Sequence, residues 1–201
     1  MAIPLRQIRA HYGDRTIRVY QAYSNAIANT AIKHQTFVSP PFSMERMTWI
    51  KPSFLWMMYR AGWGQKDDGQ KRILAIDITR EGFEWALGHS CLSHPGDQDK
   101  STWKKIKAAH PVRIQWDPER NLRLAPLEHR SIQIGLSKQA VVLYCQEWIQ
   151  AITDITPQVQ EIHGWVQSGD LEEAIAQLPT ERPYPLSETL RQQIQASEPV
   201  D

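Results

Sequence analysis

Cysteine is scarce in this chain of 201 residues: only Cys91 and Cys145 occur, far apart and without a paired spacing. That pattern excludes a disulfide framework and predicts a reducing, cytoplasmic setting. No run approaches the roughly 20 apolar residues that a membrane helix needs, and the opening MAIPLRQIRAHYGD has no apolar stretch behind its charges. Neither a membrane partner nor secretion is expected. An excess of one charge is missing too, with 23 Lys plus Arg against 22 Asp plus Glu. The Walker loop, GxGxxG, GxSxG and HExxH are all absent, which removes the commonest nucleotide, hydrolase and protease signatures. There is no internal repeat and no low-complexity tract.

What is present is 41 % hydrophobic residues at a mean hydropathy of −0.49, enough for one compact domain. Charge is unevenly spread. Residues 1–145 carry 21 basic and 12 acidic side chains, whereas 146–201 carry 2 and 10, so the two parts stand at +9 and −8. A basic body attracts phosphates, and an acidic end shields that surface or keeps the chain in solution. We therefore expect a basic α+β core over 1–145 with a helical, acidic extension over 146–201 packed on it. Eight tryptophans are spread along the chain; core packing accounts for most, and a base or nicotinamide ring could stack on one or two.

IRVYQAY at 17–23 alternates β-branched and aromatic residues as a strand does, and Ser24 suits the N-cap of a helix over 25–35. RMTWI at 46–50 reads as a second strand. Pro52 suits the first position of a helix through SFLWMMYRA, apolar on nearly every side and stopped by Gly62 and Gly64. RILAIDI at 72–78 has almost no polar face and should be a central strand, with a short helix near 81–87 after it. The polar stretch 93–104 reads as a connection. VRIQW (112–116), a DPER turn (117–120), NLRL (121–124) and RSIQIGL (130–136) suggest mainly antiparallel strands, so α+β is favoured over a doubly wound sheet. Ser137 should cap a helix whose apolar residues from Val141 to Ile152 repeat at three and four. Thr156 with Pro157 opens another helix, ending near Gly169, and Asp170 with Glu173 forms a capping box for a third. ERPYPL at 181–186 reads as an extended strap and the last fifteen residues as a frayed helix or tail.

Three places carry candidate chemistry. Arg46 and Lys51 flank a strand, and the positive end of the following helix beside Lys51 and Ser53 suits a phosphate or pyrophosphate. Gln21 and Gln133 are polar residues inside otherwise apolar strands, and a buried amide either bonds within the protein or faces a cleft, here one also containing Thr48 or Tyr59. Glu128 and His129 precede the second of these strands and could reach such a cleft as general acid or base. His89, Cys91 and His94 are metal-ligand types, but a zinc site needs a fourth ligand that the local spacing does not supply, so no metal is expected. Nothing near Cys91 depresses its pKa as a nucleophile requires.

The blocks VYQAY, MTWIKPSFLWMMYRAGWG, RILAIDI, IQWDPER, RSIQIGL and ERPYPL, spanning about residues 5–190, resemble the family named domain of unknown function 4291. A looser resemblance is to the ADP-ribosyltransferase fold. YQAY at 20–23 resembles its first-strand motif, MTWIKPSFLWMMY at 47–59 its second, and the region from Glu128 to Gln133 its last. Gln21 stands where such enzymes usually carry His or Arg, Thr48 matches the second motif's Ser or Thr, and the catalytic Glu is either replaced by Gln133 or displaced to Glu128. The resemblance implies NAD as substrate, with Arg46 or Lys51 on the pyrophosphate and Tyr23 and Tyr59 flanking the nicotinamide. Glu128 or Gln133 would then stabilise an oxocarbenium-like transition state and orient the acceptor.

The sequence thus supports an NAD- or nucleotide-binding protein that transfers ADP-ribose or hydrolyses NAD. The alternative is a non-enzymatic module binding RNA or another single-stranded nucleic acid through its basic body and exposed tryptophans. A cleft near Lys51 favours the first; a flat sheet with outward aromatics favours the second.

Overall fold

The computed structural model describes residues 3–94 and 99–198, which form an α+β fold of eight α-helices and nine strands. A short strand, β1 (Arg9–Ala10), leads into β2 (Thr16–Tyr23), where Ile17 and Val19 bury into one core cluster and Tyr20 into another on the opposite face. Helix α1 (Asn25–His34) follows Ser24, and β3 (Thr48–Ile50) takes only the last three residues of RMTWI. Helix α2 (Phe54–Ala61) starts later than Pro52 suggests. Its cap is Ser53, whose hydroxyl accepts from Trp56 N–H at 3.1 Å, and Pro52 stays outside. Gly62 closes the helix with φ 56°, a left-handed conformation that glycine adopts without strain. Nor is α2 covered on all sides: Phe54, Trp56, Met57 and Met58 are buried, but Tyr59 is 42 % exposed.

Strand β4 (Arg72–Thr79), helix α3 (Arg80–Gly88) and strand β5 (Ser90–Leu92) match the expected order. The stretch expected as a connection up to residue 104 lies partly outside the described residues and partly in α4 (Lys100–Ala109). Asp99 caps this helix by accepting from Ser101 and Thr102 N–H, and none of its residues is buried, so no apolar period announces it. DPER is not a turn but continues β6 (Val112–Arg120). The reversal comes over 121–125, where the Asn121 carboxamide accepts from Arg123 and Ala125 N–H and Leu124 takes φ 62°, so NLRL is not a strand. Strand β7 (Pro126–Leu136) then returns along β6.

The long helix expected from Ser137 is also corrected. Helix α5 (Gln139–Leu143) passes into a single π-helical turn over Tyr144–Trp148, and the chain then extends as β8 (Ile149–Asp154), paired with β4. Helix α6 (Thr156–Ser168) ends at Gly169 as expected, while α7 (Leu171–Ala176) begins at Asp170 without a side-chain cap bond. β9 (Arg182–Pro183) pairs with β1, and α8 (Glu188–Ile194) is held to the body rather than frayed: Ile194 is fully buried and its carbonyl accepts from the Trp116 indole at 2.8 Å.

Two larger sheets organise the molecule, β2–β4–β8 and β3–β7–β6–β5, antiparallel except for the parallel pair β5–β6. β4 is central in the first, with Leu74, Ile76 and Ile78 in one core cluster and Ile73 and Ala75 in the other, which explains its nearly continuous apolar run. The acidic C-terminal quarter supplies β8 to this sheet as well as helices. A backbone bridge joins the two sheets, where Tyr20 N–H donates to the Lys51 carbonyl at 2.7 Å. Among the described residues no helix is long and apolar enough to cross a membrane.

Candidate functional site

Beside that bridge lies a cavity of about 560 Å³ lined from both sheets. Gln21 and Tyr23 enter from the end of β2; Arg46, Thr48, Trp49 and Lys51 enter from β3 and its flanks. Gln115 and Gln133 come from the facing strands β6 and β7, and Arg60 from the last turn of α2. Two arginines and one lysine therefore line the cavity, and none of its lining residues is Asp or Glu.

The floor is built by strand register. Gln115 sits opposite Gln133 and Asp117 opposite Ser131, so period two brings these side chains to one face. Gln115 donates to Asp117 Oδ1 at 3.0 Å and Gln133 to Asp117 Oδ2 at 2.8 Å. Two amides hold one carboxylate, which fixes both glutamines. Next to them Gly135 leaves room for Trp49: a Cβ there would stand 2.9 Å from the indole Cη2 and 2.6 Å from Met47 Sδ.

Gln21 is 3 % exposed and largely consumed by internal bonds. Its amide donates to the Tyr23 hydroxyl at 2.9 Å and the Trp49 carbonyl at 3.1 Å, and its carbonyl accepts from Tyr144 at 2.7 Å. Both donors and one acceptor position are used, leaving one lone pair. Gln21 thus ties β2 to β3 and to the π-helical turn while forming part of the wall. Burial, with Cys145 adding and hydrogen bonds from Thr48 and Gln21 opposing, raises the Tyr23 phenol well above its ordinary value.

Lys51 is 7 % exposed, and its Nζ donates to the Trp49 carbonyl at 3.0 Å. No carboxylate forms an ion pair with it among the described residues. Burial lowers its pKa to about 7, with Arg60 adding to the effect and Asp117 opposing it.

The phosphate site expected at the start of α2 is already occupied by the protein. Ser53 caps Trp56, and the Phe54 N–H donates to Glu181 Oε1 at 2.7 Å, so the acceptor at this helix end is a carboxyl side chain from the C-terminal strap. Burial pushes the Glu181 carboxyl up to about 8; the Phe54 N–H opposes this and the Glu119 carboxylate adds to it.

Of the residues singled out from sequence, Gln21, Tyr23, Arg46, Thr48, Lys51 and Gln133 line one cavity. Tyr59 and Glu128 do not. The Arg120 guanidinium stands 3.6 Å from the centre of the Tyr59 ring, on the outer side of α2, and Glu128 is exposed on β7. Sequence reasoning missed Asp117, Gln115 and Arg60. Reading DPER as a turn hid the alternation of Gln115 with Asp117, and nothing local distinguishes Arg60 from any other helix-end cation.

His89 stacks on Trp85 with centroids 3.8 Å apart, and no group of three or more His, Cys, Asp or Glu among the described residues could hold a metal. The Cys91 thiol is raised by burial, against the pull of Arg113.

An α+β protein with an Arg- and Lys-lined cavity where its two larger sheets meet, the Asp117 carboxylate held beneath it by two lining glutamines, is the class these features define. By a family-model match over residues 7–184, the chain belongs to the family described as domain of unknown function (DUF4291). No curated protein matches it.

Proposed function

We propose that this protein binds NAD or a related phosphate-bearing nucleotide in the cavity between its two sheets. The observation that carries this reading is the lining itself: Arg46 and Arg60 beside Lys51, with the nearby carboxylate, Asp117, tied up by two glutamines, an environment that attracts a di- or polyphosphate. Its volume falls within the roughly 300–1,000 Å³ typical of small-molecule and cofactor sites. Tyr23, Phe42 and Trp49 supply ring surface for a base or nicotinamide, and Gln133 supplies a fixed amide.

NAD hydrolysis or ADP-ribose transfer is the chemistry this reading assigns to the site. As nicotinamide leaves, positive charge grows on the ribose and calls for a negative or amide partner. Gln133, oriented by Asp117, takes that role in the proposal, and Arg46 and Arg60 take the pyrophosphate. The cavity favours the nucleotide over a single-stranded nucleic acid. Supporting the same choice, none of the eight tryptophans is exposed, whereas a strand-binding module stacks bases on outward-facing aromatics.

Calorimetric titration with NAD, ADP-ribose, ATP and a short single-stranded RNA tests the proposal. Saturable binding of a nucleotide, lost in Arg46→Ala plus Arg60→Ala, is the expected result. Binding of RNA alone, with an affinity that falls steeply with salt, would overturn it.

A further inference from the structure

Lys51 differs from every other lysine of the chain, all of which are exposed. It is buried at the junction of the two sheets, its Nζ is anchored to the Trp49 carbonyl, no carboxylate neutralises it, and it lines a cavity that also presents Arg46 and Arg60. Nζ also stands 6.0 Å from the centroid of the Trp56 ring, which does not itself line the cavity. Desolvation beside a second cation is the environment that turns a lysine from a charge-bearing group into a nucleophilic amine.

We propose that Lys51 is an imine-forming nucleophile whose substrate is an aldehyde or ketone carrying a phosphate group. The arginines supply the anion subsite and the amine supplies the covalent step. The Nζ lone pair attacks the carbonyl carbon, the C=O π pair moves to oxygen, and a proton passes from nitrogen to that oxygen to give a carbinolamine. Loss of the hydroxyl as water, with a second proton, leaves the C=N bond, so amine plus carbonyl gives imine plus one water. A Lys51 pKa of about 7 leaves a large share of the amine unprotonated at neutral pH, when exposed lysines are almost entirely ammonium. The step uses the same cavity as the nucleotide reading but does not require that NAD bind there.

The test is reductive trapping on the full chain. Protein at pH 7 is incubated with pyridoxal 5′-phosphate, reduced with borohydride, and examined by intact mass and peptide mapping; pyridoxal without its phosphate is run in parallel. The expected result is one adduct, on Lys51, formed at least tenfold faster with the phosphate than without. Lys51→Met, checked for a cooperative melting transition, should lose it. ADP-ribose and ribose 5-phosphate with cyanoborohydride ask whether the carbonyl belongs to a nucleotide or a small sugar phosphate, and a Lys51 adduct from either supports the proposal. In wild-type protein, label spread over the exposed lysines with Lys51 bare overturns it, as do equal rates for pyridoxal and its phosphate. NAD titration in parallel separates the two readings: Lys51 trapping without NAD binding overturns the nucleotide reading alone, and NAD binding without Lys51 trapping overturns the imine alone.

Discussion

The phenol of Tyr144 donates to the side-chain carbonyl of Gln21 across 123 positions of sequence, at 2.7 Å and out of contact with solvent. This bond fixes which way the Gln21 amide faces, and hence where Tyr23 and the Trp49 carbonyl sit at the cavity wall. Tyr144→Phe removes the donor and leaves a buried acceptor without that partner. A loss of about 1–3 kcal/mol in denaturant unfolding is expected. An unchanged unfolding midpoint would mean that the bond does not hold the wall.

Gly135 lets Trp49 and Met47 lie against β7, so Gly135→Ala should both destabilise the fold, by about 1–3 kcal/mol, and displace the indole toward the cavity. Ligand affinity should fall with it. Gly164 of α6 is the control, because a Cβ there meets nothing within 4 Å. Gly164→Ala should raise stability by about 0.4–1 kcal/mol and leave binding alone. Thermal melts with and without NAD separate the two effects.

Arg46 and Arg60 are exposed at the cavity, so removing either should cost little folding stability. Each should cost about 1–3 kcal/mol in NAD affinity if it makes a charge-assisted hydrogen bond to the pyrophosphate. Calorimetry on both single variants checks this, and two unaltered dissociation constants would move the anion site elsewhere.

If NAD is cleaved, Gln133→Ala should slow nicotinamide release at least tenfold, a barrier change of about 1.4 kcal/mol, while the dissociation constant shifts far less. Glu128→Ala should match wild type, since Glu128 is exposed and does not line the cavity. Chromatographic assay of released nicotinamide distinguishes the two variants; equal losses would point to a site that spans both.

Stability should pass through a shallow minimum near neutral pH. Glu181 has its folded pKa raised from 4.5 to about 8, so the native state holds the extra proton across that interval and stability falls as pH rises through it. Lys51 has its folded pKa lowered from 10.5 to about 7, so above that pH the unfolded state holds the extra proton and stability rises until about 10.5. Glu181→Gln should flatten the acid-side slope and Lys51→Met the alkaline one. Melting temperatures between pH 5 and 10 for the three proteins provide the check.

The parts of this protein legible in its sequence are those whose cause is local. β2 and β4 follow from β-branched and aromatic runs, α2 ends where Gly62 can take a left-handed φ, and α6 begins at Thr156–Pro157. Gln21 and Gln133 stood out because an amide inside an apolar strand must find partners, and both line the cavity. Tertiary structure decided the rest. Ile149 and Ile152 have helical spacing, yet the edge of β4 offers a ladder of hydrogen bonds that no local preference outweighs, and they become strand. β6 continues through DPER because β7 pairs with it past the bulge at Pro118–Arg120 to Arg120, and that register sets Asp117 between two glutamines. The start of α2 suits an anion by sequence, but the acceptor that fills it is the Glu181 carboxyl, delivered by a strap more than a hundred residues away. By sequence Lys51 reads as a phosphate-binding cation beside a helix; only the meeting of two sheets around it removes its water and changes its chemistry.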